Sequence, residues 1–231
     1  MKNTKLNEYL ELKGFTAEDL FSNHAVIMDD EHFVLADSGE PWLSSVVAVN
    51  EETNKPVTAQ DILYKKQTQY QMEGCTAAIF VPLFRLSGDF VGLAIRKMHE
   101  TKHDSWFVPG SRKIDLIYNL NNAFEHCAKK NAIILTEGCY DTIALRKYGI
   151  LNCGALLGTH MSNLQFFQLF ATVDNVALCL DNDEAGINAV KKIVTTYKGK
   201  MNFFRVNIDK DPDEFLKEHG VEEFKKRIIQ I

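Results

Sequence analysis

"NVALCLDNDEAGINAVKKIVTTYK", Asn175 to Lys198, is an apolar run, then two aspartates one residue apart, then a helical pattern with basic residues toward its end. A run without polar alternation, such as Val176–Leu180, suits a strand buried on both faces, as parallel sheets require. Acids just past such a strand lie at the edge where open α/β sheets hold ligands. The i, i+2 spacing puts Asp181 and Asp183 on one side of an extended segment.

The same rhythm extends both ways from this stretch. Upstream come "AIILTEG" (132–138), "CYDTIALRKYG" (139–149), "LNCGALLG" (151–158) and "MSNLQFFQLFAT" (161–172); downstream come "MNFFRVNID" (201–209) and "PDEFLKEHGVEEFKKRII" (212–229). Short apolar runs alternating with helical patterns predict an α/β fold, a parallel sheet with helices on both faces. Gly149 and Gly199 mark helix ends, and Ser162 or Asn163 caps the helix that follows. Phe166, Phe167 and Phe170 are expected in the core, and the final stretch reads as one amphipathic helix.

Residues 1–130 are less periodic and predict a smaller α+β subdomain ahead of the α/β unit at 131–231. "AAIFVPLFRLSGDFVGLAIRKM" (77–98) reads as a hairpin turning at Ser87–Asp89, and "NNAFEHCAKK" (121–130) as a helix. Residues 1–70 give mixed helical and extended signals.

Bulk properties narrow the function. With 231 residues and 45% hydrophobic content the chain can bury a real core. No window approaches 18 consecutive apolar residues, so a cytoplasmic protein without a membrane partner is expected. The five cysteines are odd in number and form no CxxC pair; reduced thiols and no zinc site are expected. A net charge of −5 means that a nucleic-acid partner would need a local basic surface or a bound cation. Lys97, Lys102, His103, Arg112 and Lys113, with Trp106 and Phe107 among them, are either that surface, gripping phosphates and stacking a base, or a solvated hairpin flank.

Three acidic pairs fall at the carboxyl ends of predicted strands: Glu137 with Asp141, Asp181 with Asp183, and Asp211 with Asp213 around Pro212. So many carboxylates in one crevice repel unless a cation sits among them. Oxygen-only ligands favour Mg²⁺ or Mn²⁺, ions that typically act on phosphates. Any one pair alone reads more readily as helix capping, for which Asp183 and Glu184 are placed; three pairs at one edge favour the cation.

"TEGCYDTIALRKYG", "GALLGTHMS" and "LCLDNDEAGINAV" together resemble the blocks of a Toprim domain. "DNDEAGINAV", "DKDPDEFL" and "FVPLFRLSGDFVGLAIRK" look like the bacterial and phage-type DNA primase branch, the resemblance covering about residues 74–216. It implies Glu137 as the acid for proton transfer or metal positioning, Asp181 and Asp183 as metal ligands, and Asp141, Asp211 and Asp213 completing the crevice. Arg96 matches the hairpin arginine of that branch and Lys113 a basic residue ahead of its Leu-Tyr-Gly. These cations would hold phosphates of a single-stranded DNA template or of NTPs opposite the metals. The implied activity is primer RNA synthesis during replication in the cytoplasm, or in a host's cytoplasm for a phage-encoded chain. A Toprim nuclease that cleaves phosphodiesters, or a non-catalytic phage nucleic-acid-binding or assembly module, are the alternatives. The sequence lacks the family's zinc-binding module and helicase-binding region, and "CTAAIF" and "DSWFVPG" replace the usual basic segments. A replicative helicase or a separate zinc-binding, template-recognising protein is therefore the expected partner.

Overall fold

A computed structural model describes residues 4–29, 32–34, 39–49, 53–64, 77–98, 103–107 and 112–231. The chain divides into two compact units, Met1–Leu83 with Phe90–Arg112, and Phe84–Asp89 with Lys113–Ile231.

The first unit holds α1 (Thr4–Leu12), α2 (Ala17–Phe21), β1 (Val26–Asp29), β2 (His32–Val34), β3 (Val46–Val49), β4 (Pro56–Thr58), α3 (Ala59–Tyr64), β5 (Ala77–Phe84), β6 (Phe90–Met98) and β7 (His103–Phe107). Its main sheet has the order β2-β1-β5-β6-β7, and β3 and β4 pair separately. The β5–β6 hairpin turns where the sequence indicates. Gly88 takes the left-handed φ of 87° that glycine adopts at no steric cost, and the Arg85 amide donates to the Asp89 carbonyl at 3.0 Å. A capping box between Thr16 and Asp19 starts α2. This is the expected α+β subdomain.

The second unit contains α4 (Leu120–Lys130), β8 (Ala132–Thr136), α5 (Cys139–Lys147), β9 (Cys153–Ala155), α6 (Asn163–Phe170), β10 (Asn175–Cys179), α7 (Glu184–Thr196), β11 (Asn202–Val206), α8 (Pro212–Lys226) and β12 (Ile228–Gln230). The sheet order is β12-β11-β10-β8-β9; the four strands from β11 to β9 are parallel and β12 closes one edge antiparallel. Side chains alternating along the strands feed two cores. On one face Ile133, Leu135, Val176 and Leu178 meet α4, α6 and α7. On the other, Ile134, Ala177 and Val206 meet α5 and α8. The expected parallel sheet with helices on both faces is present.

Three features differ from the sequence reading. Leu120, Ala123 and Cys127 of α4 are buried in the core beneath β8, so the compact unit begins at Lys113 rather than at 131. The final stretch is not one helix: Gly220 (φ 75°, ψ 173°) breaks α8, and residues 228–230 add a strand instead of another helical turn. Of the three phenylalanines of α6, only Phe166 is core; Phe167 and Phe170 are 62% and 55% exposed. Buried Gln165, Phe166 and Leu169 define the inner face, and the other two rings fall on the outer one.

A candidate metal-binding edge on a parallel sheet

β8, β10 and β11 run parallel, so the segments leaving their carboxyl ends share one edge of the sheet. Glu137 follows β8 directly. A buried hydroxyl pair fixes its turn: Thr136 Oγ1 lies 2.8 Å from Thr142 Oγ1 and donates to the Gly138 carbonyl at 2.9 Å. The Gly158 amide donates to the Glu137 carbonyl at 3.1 Å, tying the loop after β9 to the same point, where Leu157 adopts a φ of 61°. Asp141 sits in the first turn of α5 and accepts from the Gly138 amide at 3.3 Å.

Past β10, Asp183 is the N-cap of α7, its Oδ1 accepting from the Gly186 amide at 2.8 Å. One carboxylate oxygen thus ends a helix while the side chain stays solvent-exposed. Gly186 is there because nothing larger fits: a Cβ would stand 2.0 Å from the Asp181 carbonyl oxygen. The Asp181 backbone therefore lies directly against the first turn of α7. Asp211 occupies the N-cap position of α8, with Pro212 at the first helical position and Asp213 in the first turn.

The acids sense one another. Burial first, then the charges of Asp181 and Asp183, push the Glu137 carboxyl above its ordinary value. The Cys179 thiol is pushed far up by burial, with Asp141 and Asp181 adding to it. Glu137, Asp141, Asp181 and Asp183 thus contribute to a common negative field, and Asp211 and Asp213 follow the adjacent strand. Among the described residues, no three His, Cys, Asp or Glu side chains are drawn close enough to hold an ion by themselves. Oxygen donors in mutual repulsion fit a divalent cation, which can take one or two carboxylates and fill its remaining positions with water and substrate phosphates.

The basic residues are placed differently. Arg96 is half-buried on β6 with its guanidinium 5.7 Å from the centre of the Tyr9 ring, and Lys97, next along the strand, is only 6% exposed. Successive strand residues face opposite sides, so this pair does not form one phosphate-gripping patch. Arg112 is exposed; Lys113 begins a short 3₁₀ turn, where its carbonyl accepts from Gln165 Nε2 at 3.4 Å. Lys102 lies outside the described residues, and the side chains of His103 and Trp106 are likewise undescribed.

Two polar residues escaped the sequence reading. Asn119 has a φ of 66°, is buried, donates to the Cys153 carbonyl at 2.8 Å and accepts from Arg146. Arg205 on β11 donates through Nη2 to Asn182 Oδ1 at 2.8 Å. Partners this far apart in sequence leave no local signature.

The Toprim-like family matches residues 134–216. That span carries Glu137, Asp141, Asp181, Asp183, Asp211 and Asp213. Residues 134–216 form a Toprim domain. Over a longer span the chain is 26% identical to the DNA primase of Halalkalibacterium halodurans across 230 residues, 96% of this chain and 37% of that protein. It is 33% identical to the DNA primase of Rickettsia prowazekii across 123 residues, 51% of this chain and 21% of that one. A solved DnaG primase catalytic domain bound to single-stranded DNA superimposes with a TM-score of 0.68 at 20% identity, over 98% of this chain and 72% of that one. The chain thus spans well under half the length of the two curated DNA primases, and its Toprim domain, with the unit ahead of it, has the fold of a primase catalytic core. Among the described residues no helix is long and apolar enough to cross a membrane.

Proposed function

We propose that this chain is the catalytic core of a DNA primase, joining NTPs into short RNA primers along single-stranded DNA. The observation that carries the reading is that Glu137, Asp181 and Asp183 follow the carboxyl ends of the adjacent parallel strands β8 and β10 within the Toprim match. Similarity to DNA primases over nearly the whole chain supports nucleotidyl transfer in particular.

In this reading Asp181 and Asp183 hold Mg²⁺ or Mn²⁺, with Asp141, Asp211 and Asp213 bordering the site. The cation, when bound, aligns the α-phosphate and neutralises charge on the leaving pyrophosphate. Glu137, whose raised pKa suits a group that accepts a proton, takes it from the attacking 3′-hydroxyl or orients the water that does. Arg96, Lys97, Lys102, Arg112 and Lys113 are the candidates for template and nucleotide phosphates. Among the described ones, Arg112 is exposed and open to solvent-borne phosphate, whereas Lys97 is buried. A replicative helicase or a separate zinc-binding protein would supply template selection, in a bacterial or host cytoplasm.

Labelled NTPs, single-stranded DNA and Mg²⁺ or Mn²⁺ decide the matter. Short RNA products, lost in Asp181→Ala while the fold is retained, are expected. Shortened DNA without RNA would instead identify a metal-dependent nuclease, and neither product would leave a binding module.

A further inference from the structure

We infer that Arg205 is a positioning residue for the acidic edge: from the neighbouring strand it clamps Asn182, the residue between Asp181 and Asp183, and so fixes the orientation of both carboxylates.

The segment between β10 and α7 is held from one side by the first turn of α7. The Asp181 backbone lies against Gly186, and Asp183 Oδ1 caps the Gly186 amide. The Ile187 amide also donates to the Asp183 carbonyl at 3.0 Å, so these contacts all come from the start of α7. The bond from Arg205 Nη2 to Asn182 Oδ1, 2.8 Å long, comes from elsewhere. Arg205 pairs with Leu178 across the sheet, one residue before β10 ends at Cys179. Phe204 and Val206 pack with the α5–α8 core, so Arg205 projects toward the opposite face, the side on which α7 lies. A guanidinium suits this task because its planar donor fork is always charged and reaches far from its strand. It also sets a fixed positive charge beside a cluster whose mutual repulsion is visible in Glu137.

Clamp and charge predict different variant behaviour. If the clamp operates, Asn182→Ala and Arg205→Met should behave alike, although only one removes a charge. The first readout is metal-free hydrogen exchange at the Gly186 amide, the donor to Asp183. Each variant should speed it about tenfold, the double variant should be no faster than either single one, and Arg205→Lys should fall between. The second is Mn²⁺ binding followed by the electron spin resonance of the free ion, where each single variant should weaken binding three- to tenfold without additivity.

Normal exchange and normal Mn²⁺ binding in Asn182→Ala would overturn the inference, as would additive effects in the double variant. Tighter Mn²⁺ binding confined to Arg205→Met would reduce Arg205 to a repelling charge. The inference rests on the metal-dependent reading of this edge, but the exchange data do not: a chain that binds no Mn²⁺ would fail that reading while exchange at Gly186 still decides the clamp.

Discussion

Asp183 carries two duties on one side chain, and they can be separated. Asparagine caps helices as well as aspartate but brings no charge. Asp183→Asn should therefore stay within about 0.5 kcal/mol of the parent in urea unfolding while losing divalent-cation binding and primer synthesis. Asp183→Ala should lose those and also about 1 kcal/mol of stability. Gly186→Ala tests the same corner from the other side. Its new methyl group would meet the Asp181 carbonyl oxygen at 2.0 Å, so backbone must move. A stability loss of about 2 kcal/mol and a collapse of turnover are expected, read by denaturation and by the primer assay. The acids were legible in the sequence because each answers to a local rule, strand end or cap, whereas the close approach at Gly186 shows only once α7 lies against Asp181. Arg205 and Asn119 were not, because their partners lie 23 and 34 positions away and become neighbours only when the sheet is assembled.

The elements show where local pattern suffices and where it does not. Ser162, one of the two caps the sequence offered, closes a capping box with Gln165, and its hydroxyl also donates to the Ile114 carbonyl at 2.6 Å. Ser162→Ala should cost about 1 to 2 kcal/mol by calorimetry, more than an ordinary cap, because two bonds go together. In α8 the helical spacing of apolar residues continues through Gly220, which made a single helix the natural reading. Its φ of 75° with ψ of 173° belongs to a region open almost only to glycine. Gly220→Ala should destabilise by about 1 to 3 kcal/mol, with urea unfolding as the measurement. The strand at 228–230 was hidden for a different reason. Three residues are too few for a periodicity, and it is pairing with β11 that makes them a strand. α6 misled because it is apolar on both sides: only packing decides that Phe166 turns inward while Phe167 and Phe170 face out.

For the molecule as a whole, the acidic edge should make stability depend on pH and on divalent cations together. Glu137 has its pKa raised by burial and by two neighbouring carboxylates. A raised carboxyl contributes stability below its unfolded value, about 4.3, and loses that contribution as pH rises through the folded value. In metal-free protein, Glu137→Gln should therefore raise the Tm at pH 7.5 by about 2 °C and leave it unchanged near pH 3.5, followed by calorimetry in a chelating buffer. Millimolar Mn²⁺ should raise the parent's Tm and remove the variant's advantage, because the cation binds the native arrangement only. Whole-molecule architecture was the most legible level for residues 131–231, where alternating runs leave few topologies. It was least legible before them, since short antiparallel strands, several of only three to five residues, carry no comparable rhythm and the start of the second unit depends on how α4 packs.

The hairpin between β5 and β6 has a consequence for how such a molecule could be cut. Its strands belong almost wholly to the first unit, whereas Phe84–Asp89 at its turn belong to the second. The backbone accordingly passes from one unit to the other three times, after residues 83, 89 and 112. No single break separates them, and a fragment starting at Lys113 would leave six residues of its own unit behind.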